Sequence, residues 1–135
     1  MDRPTLEYYR QNADDVFLRY EGVPPDTLLP HVFSQSSTVL DIGCGTGRDM
    51  SFLHRNGYLV YGIEPVQELR QLAVSRQPEL ENRIFPGSLP DDIPQLPVEK
   101  FDGVLLYAVL MHIDEGRFFD AAMSVRSLLK EGGTL

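Results

Sequence analysis

Cysteine is all but absent, and the single thiol, Cys44, has no second cysteine to pair with. An internal disulfide is thereby excluded, and the composition fits a reducing compartment. Long apolar runs are also missing. The longest, residues 104–111, falls far short of the roughly 20 residues that cross a bilayer. The first residues, Met-Asp-Arg-Pro-Thr, carry none of the apolar core of a signal peptide. These absences point to a cytoplasmic location with no membrane partner. Basic clusters are lacking too: 12 Lys and Arg lie scattered among 20 Asp and Glu, for a net charge of −8. Such a chain is a poor match for a phosphate backbone, so no nucleic-acid partner is expected. The three histidines are dispersed and, with the one cysteine, show no metal-ligand spacing. Neither internal repeats nor low-complexity segments interrupt the chain.

What is present is a globular composition over 135 residues, the size of one domain that buries roughly two-thirds of its unfolded surface. Its organising stretch is Thr38-Val39-Leu40-Asp41-Ile42-Gly43-Cys44-Gly45-Thr46-Gly47. The β-branched and apolar run reads as a buried strand that breaks at Gly43. Three glycines then allow a sharp turn and the close approach of a ligand. The helix that follows adds free N–H groups and a positive dipole end. Asp41 runs against a phosphate ligand, because a carboxylate facing the loop repels one anion and attracts a cation or amine. A dinucleotide loop of the form Gly-x-Gly-x-x-Gly would place its third glycine at position 48, where this chain has Arg48.

The string Asp41-Ile42-Gly43-Cys44-Gly45-Thr46-Gly47 resembles motif I of the class I S-adenosylmethionine-dependent methyltransferases. That resemblance extends over about residues 39–135, with several motifs in the family's order. It implies an α/β three-layer sandwich whose Rossmann-like parallel sheet runs 3-2-1-4, preceded by N-terminal helices and cut short at strand 5. The alternation of strands and helices and the handedness of crossovers agree. It also implies S-adenosyl-L-methionine as cofactor. Residues 1–135 then form a single domain of this kind, lacking the family's C-terminal strands. Two other readings stay open: a non-catalytic S-adenosylmethionine-binding or interaction domain, and an NAD(P)-binding oxidoreductase domain, the latter disfavoured by Arg48 and Asp41.

Taken in order, Leu6, Tyr9, Ala13, Val16, Phe17 and Tyr20 recur at helical spacing and predict one amphipathic helix, broken at 21–25. In the family, segments before motif I often fold over the cofactor, a role open to Tyr8 or Tyr9. Packing on the domain is the simpler reading of both. A short helix is expected over 26–33, with Pro25 near its start and His31 at the surface. The glycine turn leads into a helix over 46–56, then a strand over 58–63 that ends at Glu64. This acidic residue lies 21 positions after Gly43. A carboxylate at that strand tip can accept hydrogen bonds from both hydroxyls of a ribose. Pro65 opens a helix running to about residue 76.

A short third strand over 82–85 follows, then Pro86-Gly87-Ser88-Leu89. Where the family often has Gly-Asp, the Asp meeting the adenine amino group, this chain has Ser88. Its hydroxyl and the backbone of Leu89 are the adenine candidates. Asp91 and Asp92 read as loop or cap residues. The fourth strand, 101–107, is near-continuously apolar, as a central parallel strand should be. The stretch 101–113 resembles the family's segment after motif III, which places the backbone at Leu106 and Tyr107 beside the methionine part of the cofactor. His112 reads as a core histidine before a base. Asp114 suits the N-cap of a helix reaching Lys130, stopped by Gly132-Gly133.

The resemblance thus assigns Asp41, Gly43, Cys44, Gly45, Glu64, Pro65, Ser88, Leu89, Leu106 and Tyr107 to the cofactor and no residue to catalysis. A sulfonium is already an activated leaving group, so the protein's main task is in-line placement of acceptor and methyl. The acidic composition favours a small-molecule acceptor. With only the stub Thr134-Leu135 beyond strand 4, self-association through an open sheet edge is expected.

Overall fold

The computed structural model describes every residue except Pro25 and Asp26. Helix α1, Arg3–Gln11, starts on an Asp2 cap whose carboxylate accepts from the backbone N–H and the hydroxyl of Thr5, each at 2.8 Å. The single N-terminal helix expected from periodicity is in fact two. Asn12 leaves helical geometry at φ −116°, and both its backbone and side-chain N–H groups donate to the Tyr8 carbonyl. An asparagine amide that competes for a backbone carbonyl ends a helix. Helix α2, Ala13–Glu21, restarts beyond it. Helix α3 is only Leu29–Val32, and the earlier part of the expected 26–33 helix lies partly outside the described residues.

Five parallel strands form one sheet in the order β3-β2-β1-β4-β5. They are β1 Thr38–Ile42, β2 Leu59–Ile63, β3 Ile84–Phe85, β4 Phe101–Leu105 and β5 Leu129–Thr134. Helices α4, Arg48–Arg55, α5, Gln67–Arg76, and α6, Phe118–Leu128, link them. Side chains alternate across β1 as the pleat requires. Val39 joins Leu29, Met50, Leu53 and Val60 in one core, while Leu40 and Ile42 join Val104, Ala121, Val125 and Leu128 in the other. Those two cores on either face of one sheet make the three-layer sandwich. A third, smaller cluster sets Ala13 and Val16 of α2 against Val66 and Leu69 at the start of α5.

Two boundaries near the C-terminal side differ from expectation. Asp114 makes no side-chain cap bond, and a 3-10 turn at Glu115–Arg117 precedes α6. Helix α6 ends at Leu128 rather than reaching Lys130, and a fifth strand begins directly at Leu129. Lys130 instead donates to Asp102 of β4 at 3.2 Å. The pairing of β4 with β5 shifts register between Phe101 and Gly103, so Gly132-Gly133 sits inside an irregular strand. Those glycines read from sequence as a helix stop. Strand β4 is thereby covered by β5, which forms the edge of the sheet on this side.

Candidate functional site

Every strand of a parallel sheet points its C-terminal end the same way, so the loops after β1, β2 and β4 gather at one edge. A cleft opens there. Its floor is β1 and the glycine turn. Gly43 has φ +73° and Gly45 φ +54°, the left-handed region that glycine enters at no cost. A Cβ at Gly43 would lie 2.6 Å from Val109 Cγ2, so the turn is also closed to larger residues by contact. The backbone N–H groups of Gly43 and Cys44 donate to the Ile63 carbonyl, at 2.7 and 3.1 Å, which pins the turn to β2.

Glu64 ties this assembly together. It is 4% exposed, and each carboxylate oxygen accepts one backbone N–H: Gly45 at 2.9 Å and Val66 at 3.0 Å. Arg70 reaches back from α5 to donate to the Glu64 carbonyl at 2.6 Å. Burial pushes the Glu64 carboxyl above its ordinary pKa, opposed by the Val66 and Gly45 N–H groups and by Arg70. The side chain is therefore part of the frame of the glycine turn as well as a face of the cleft.

Asp41 is also 4% exposed, and its carboxylate accepts no hydrogen bond among the described residues. Burial raises its pKa well above the ordinary range, and the neighbouring carboxylates of Asp49 and Glu64 add to that, with Arg48 opposing. The same surroundings hold the Cys44 thiol protonated: burial first, then Asp41 and Glu64. Arg48 does not neutralise the site freely. Its guanidinium contacts both Asp49 oxygens at 3.3 Å and donates to the Val23 carbonyl at 3.1 Å. Three acidic side chains, Asp41, Asp49 and Glu64, thus share the cleft with one engaged guanidinium. Among the described residues no group of His, Cys, Asp and Glu is arranged to hold a metal ion.

Of the ten residues assigned from sequence, nine line this cleft: Asp41, Gly43, Cys44, Gly45, Glu64, Pro65, Ser88, Leu89 and Tyr107. Leu106 does not, and its side chain packs in the core beside α6. The backbone N–H and carbonyl of Ser88 are spent on Asp92, at 2.8 and 3.0 Å, so its hydroxyl is what it offers to the cleft. Asp91 grips Arg117 and Asp92 serves the loop bridge, as loop residues should. His31 is exposed at the end of α3.

Sequence reading missed several lining residues. Asp49 comes from the first turn of α4, and Ala108, at φ +54°, holds a left-handed backbone that no glycine announces. Tyr9, read from sequence as a packing residue, does pack beside Val16 and Leu69, but it lines the cleft as well. His112, read as a core residue, is a lining residue, as is Tyr20. No local pattern marks such positions, because the cleft is completed by elements far apart in sequence.

A three-layer sandwich with a glycine turn and an acidic tip at the ends of its central parallel strands is an α/β domain whose cleft lies at the C-terminal edge of the sheet. A family described as the methyltransferase domain matches residues 40–135, and the chain belongs to that family. An uncharacterised methyltransferase of Alkaliphilus oremlandii (strain OhILAs) is 28% identical over 121 residues, covering 89% of this chain and 53% of its own length. A demethylmenaquinone methyltransferase of Tropheryma whipplei (strain Twist) is 33% identical over 102 residues, 72% of this chain and 39% of its own. Among solved structures, the DhpI–SAH complex matches with a TM-score of 0.73 at 25% identity, covering 95% of this chain and 63% of that one. This chain thus spans about half the length of the curated relatives it matches.

Proposed function

We propose that the cleft binds S-adenosyl-L-methionine and that the protein transfers its methyl group to a small-molecule acceptor. The observation that carries this is Glu64, buried at the β2 tip with one N–H of the glycine turn on one oxygen and one of the α5 start on the other. Each carboxylate oxygen retains a further acceptor position, so two vicinal ribose hydroxyls can be taken without breaking the frame. Family membership supports the reading, as does the SAH held by the DhpI relative of similar fold.

In this reading Asp41, unpartnered and buried, faces the cationic part of the ligand together with Asp49. Gly43, Cys44 and Gly45 let backbone approach the ligand. Pro65 and Leu89 flank the nucleoside, and the Ser88 hydroxyl is offered to adenine. The backbone at Leu106 and Tyr107 serves the methionine part. Bound there, the cofactor supplies an activated methyl on its sulfonium. What remains for the chain is to fix direction and exclude water, which is worth several powers of ten in rate when acceptor and methyl are aligned.

The acceptor reading follows from the net charge of −8 and from the small-molecule acceptor in the name of the Tropheryma whipplei relative. Residues 1–135 act in this reading as one domain. Among the described residues, no helix is long and apolar enough to cross a membrane. Self-association, if the sheet edge drives it, runs through β5, where Lys130 and Glu131 blunt the edge.

Isothermal calorimetry with S-adenosylmethionine, S-adenosylhomocysteine and NAD tests the assignment. Binding of the first two without NAD is the expected result. Binding of NAD alone overturns it. A methyl-transfer assay then separates an enzyme from a domain that only binds.

A further inference from the structure

The rim of the cleft differs in character from its floor. Tyr9 of α1, Tyr20 of α2 and His112 of the turn after β4 line the same cleft as Asp41 and Glu64. The Tyr9 ring stands edge-on to the His112 imidazole, with centroids 5.9 Å apart at 88°, and edge-on to Tyr8 at 5.7 Å and 76°. Tyr20 and Tyr8 act on the Tyr9 phenol electrostatically, as does the Glu64 carboxylate, and burial is the largest of the influences that keep the phenol neutral. Aromatic rings that share a cleft with acidic groups attract organic cations, through the negative ring faces and the field of the acids. Cations are few among the lining residues: no lysine is present, Arg48 is already held by Asp49 and the Val23 carbonyl, and Met1 brings the amino-terminal residue to the cleft. Asp41, buried and without a hydrogen-bond partner among the described residues, adds an unsatisfied acidic group to the same cleft.

We propose that the rim formed by Tyr9, Tyr20 and His112 is the acceptor subsite, and that it takes an organic amine, bound as its ammonium ion against the tyrosine faces with Glu64 behind. The inference rests on the methyl-transfer reading and specifies its acceptor. In the transfer, the amine nitrogen sheds one proton to water at the open mouth. It then forms its bond to the methyl carbon while the electron pair of the carbon–sulfur bond stays on sulfur. The product is the N-methylated ammonium ion and a thioether.

The test uses the intact chain, 15N-labelled and saturated with S-adenosylhomocysteine. It is titrated with n-butylammonium, n-butanol and butyrate, which share a carbon skeleton and differ in charge. Amide shifts at Tyr9, Tyr20 and His112 report the site. The ammonium is expected to bind about tenfold more tightly than the alcohol, with butyrate weakest. Tyr9→Leu and Tyr20→Leu should each weaken the ammonium about two- to fivefold, the range for a cation over a partly exposed ring. Tyr9→Phe, which keeps a ring face, should retain it. Equal binding of the three probes, stronger butyrate binding, or ammonium binding unmoved by both leucine variants overturns the proposal. If Tyr9→Leu fails to fold, Tyr20→Leu and the three-probe comparison still decide. Failure to bind S-adenosylhomocysteine at all counts against the methyl-transfer reading instead, so the two failures are distinguishable.

Discussion

The two sides of the cleft are held in different ways. At the floor, β1, the glycine turn and the tip of β2 are locked by backbone hydrogen bonds, and the Glu64 carboxylate closes the lock on Gly45 and Val66. At the rim, α1 contributes no fully buried residue; Leu6 and Tyr9 pack half-buried against α2 and the start of α5, and Arg10 adds one long ion pair to Glu68 at 3.8 Å. A floor of this kind specifies one ligand geometry. A rim of this kind adapts, because few buried contacts oppose its movement. On the proposed reading, cofactor recognition and acceptor choice sit on elements held by different kinds of contact.

The largest expected effect is at Glu64, where floor and ligand meet. Glu64→Ala should weaken S-adenosylmethionine binding by about 1.5–3 kcal/mol, roughly ten- to a hundredfold, measured by calorimetry. The Glu64 carboxylate also has a part in the fold. Removing the side chain strips two buried N–H groups of their acceptor, so thermal unfolding should also show a loss of about 1–3 kcal/mol. Glu64→Gln keeps one of the two acceptors and should lose less in both measurements. Unchanged affinity in a folded Glu64→Ala variant would remove the ribose role.

Next comes the turn itself. Gly43→Ala imposes a left-handed backbone on a residue with a Cβ and drives that Cβ towards Val109, for an expected loss of about 1–3 kcal/mol in chemical denaturation. Adding Val109→Ala should recover only the contact part of the loss. Full recovery would mean that backbone strain at position 43 matters little.

A smaller effect, of opposite sign for stability and binding, is expected at Asp41. Burial raises its carboxyl, so the folded state holds that proton more tightly than the unfolded chain. Such a group contributes most below the ordinary carboxyl pKa of about 4, and the contribution is lost as pH rises through the higher folded value. Asp41→Asn should thus stabilise the ligand-free chain, by about 1 kcal/mol or a few degrees in melting temperature near neutrality, while weakening S-adenosylmethionine. The gain over wild type should shrink as pH falls towards 5. That difference isolates Asp41 from Asp2, Glu79 and Asp102, whose carboxyls are lowered by hydrogen bonds. A gain independent of pH would count against a raised Asp41 carboxyl in the folded state.

The smallest effect belongs to the rim. Arg10→Ala removes an exposed, long ion pair and should change stability by less than about 0.5 kcal/mol. A larger loss by thermal melting would show that α1 is fastened more firmly than its contacts suggest.

The same division explains what was legible in the sequence. The floor is written in short range. A strand, three glycines and an acid at fixed spacing mark a strand–turn–helix cleft whatever its ligand, and nine of the ten assigned residues do line the cleft. The rim is written in no local code. Tyr9, Tyr20 and His112 are ordinary aromatic positions until the helices fold back beside the turn after β4. The break at Asn12 was hidden because apolar spacing runs through it unbroken, while the deciding amide acts on a carbonyl one turn earlier. The start of β5 was hidden by Gly132-Gly133, which serve an irregular strand where a helix stop was the simpler meaning.

The place of β1 at the centre of the sheet has a consequence for synthesis. Its partner on one side, β2, is made soon afterwards, but its partner on the other, β4, lies far along the chain: the Thr38 N–H donates to the Asp102 carboxylate across 64 residues. At the roughly 5–20 residues per second of translation, β1 waits about 3–13 s for that second neighbour. Once it has left the ribosome, the strand has one side paired by β2 and the other side without its partner until β4 follows. Substitutions that leave the finished protein unharmed but lengthen the wait, or that make the 39–42 edge stickier, should therefore lower yield in the cell before they alter any property of the folded molecule.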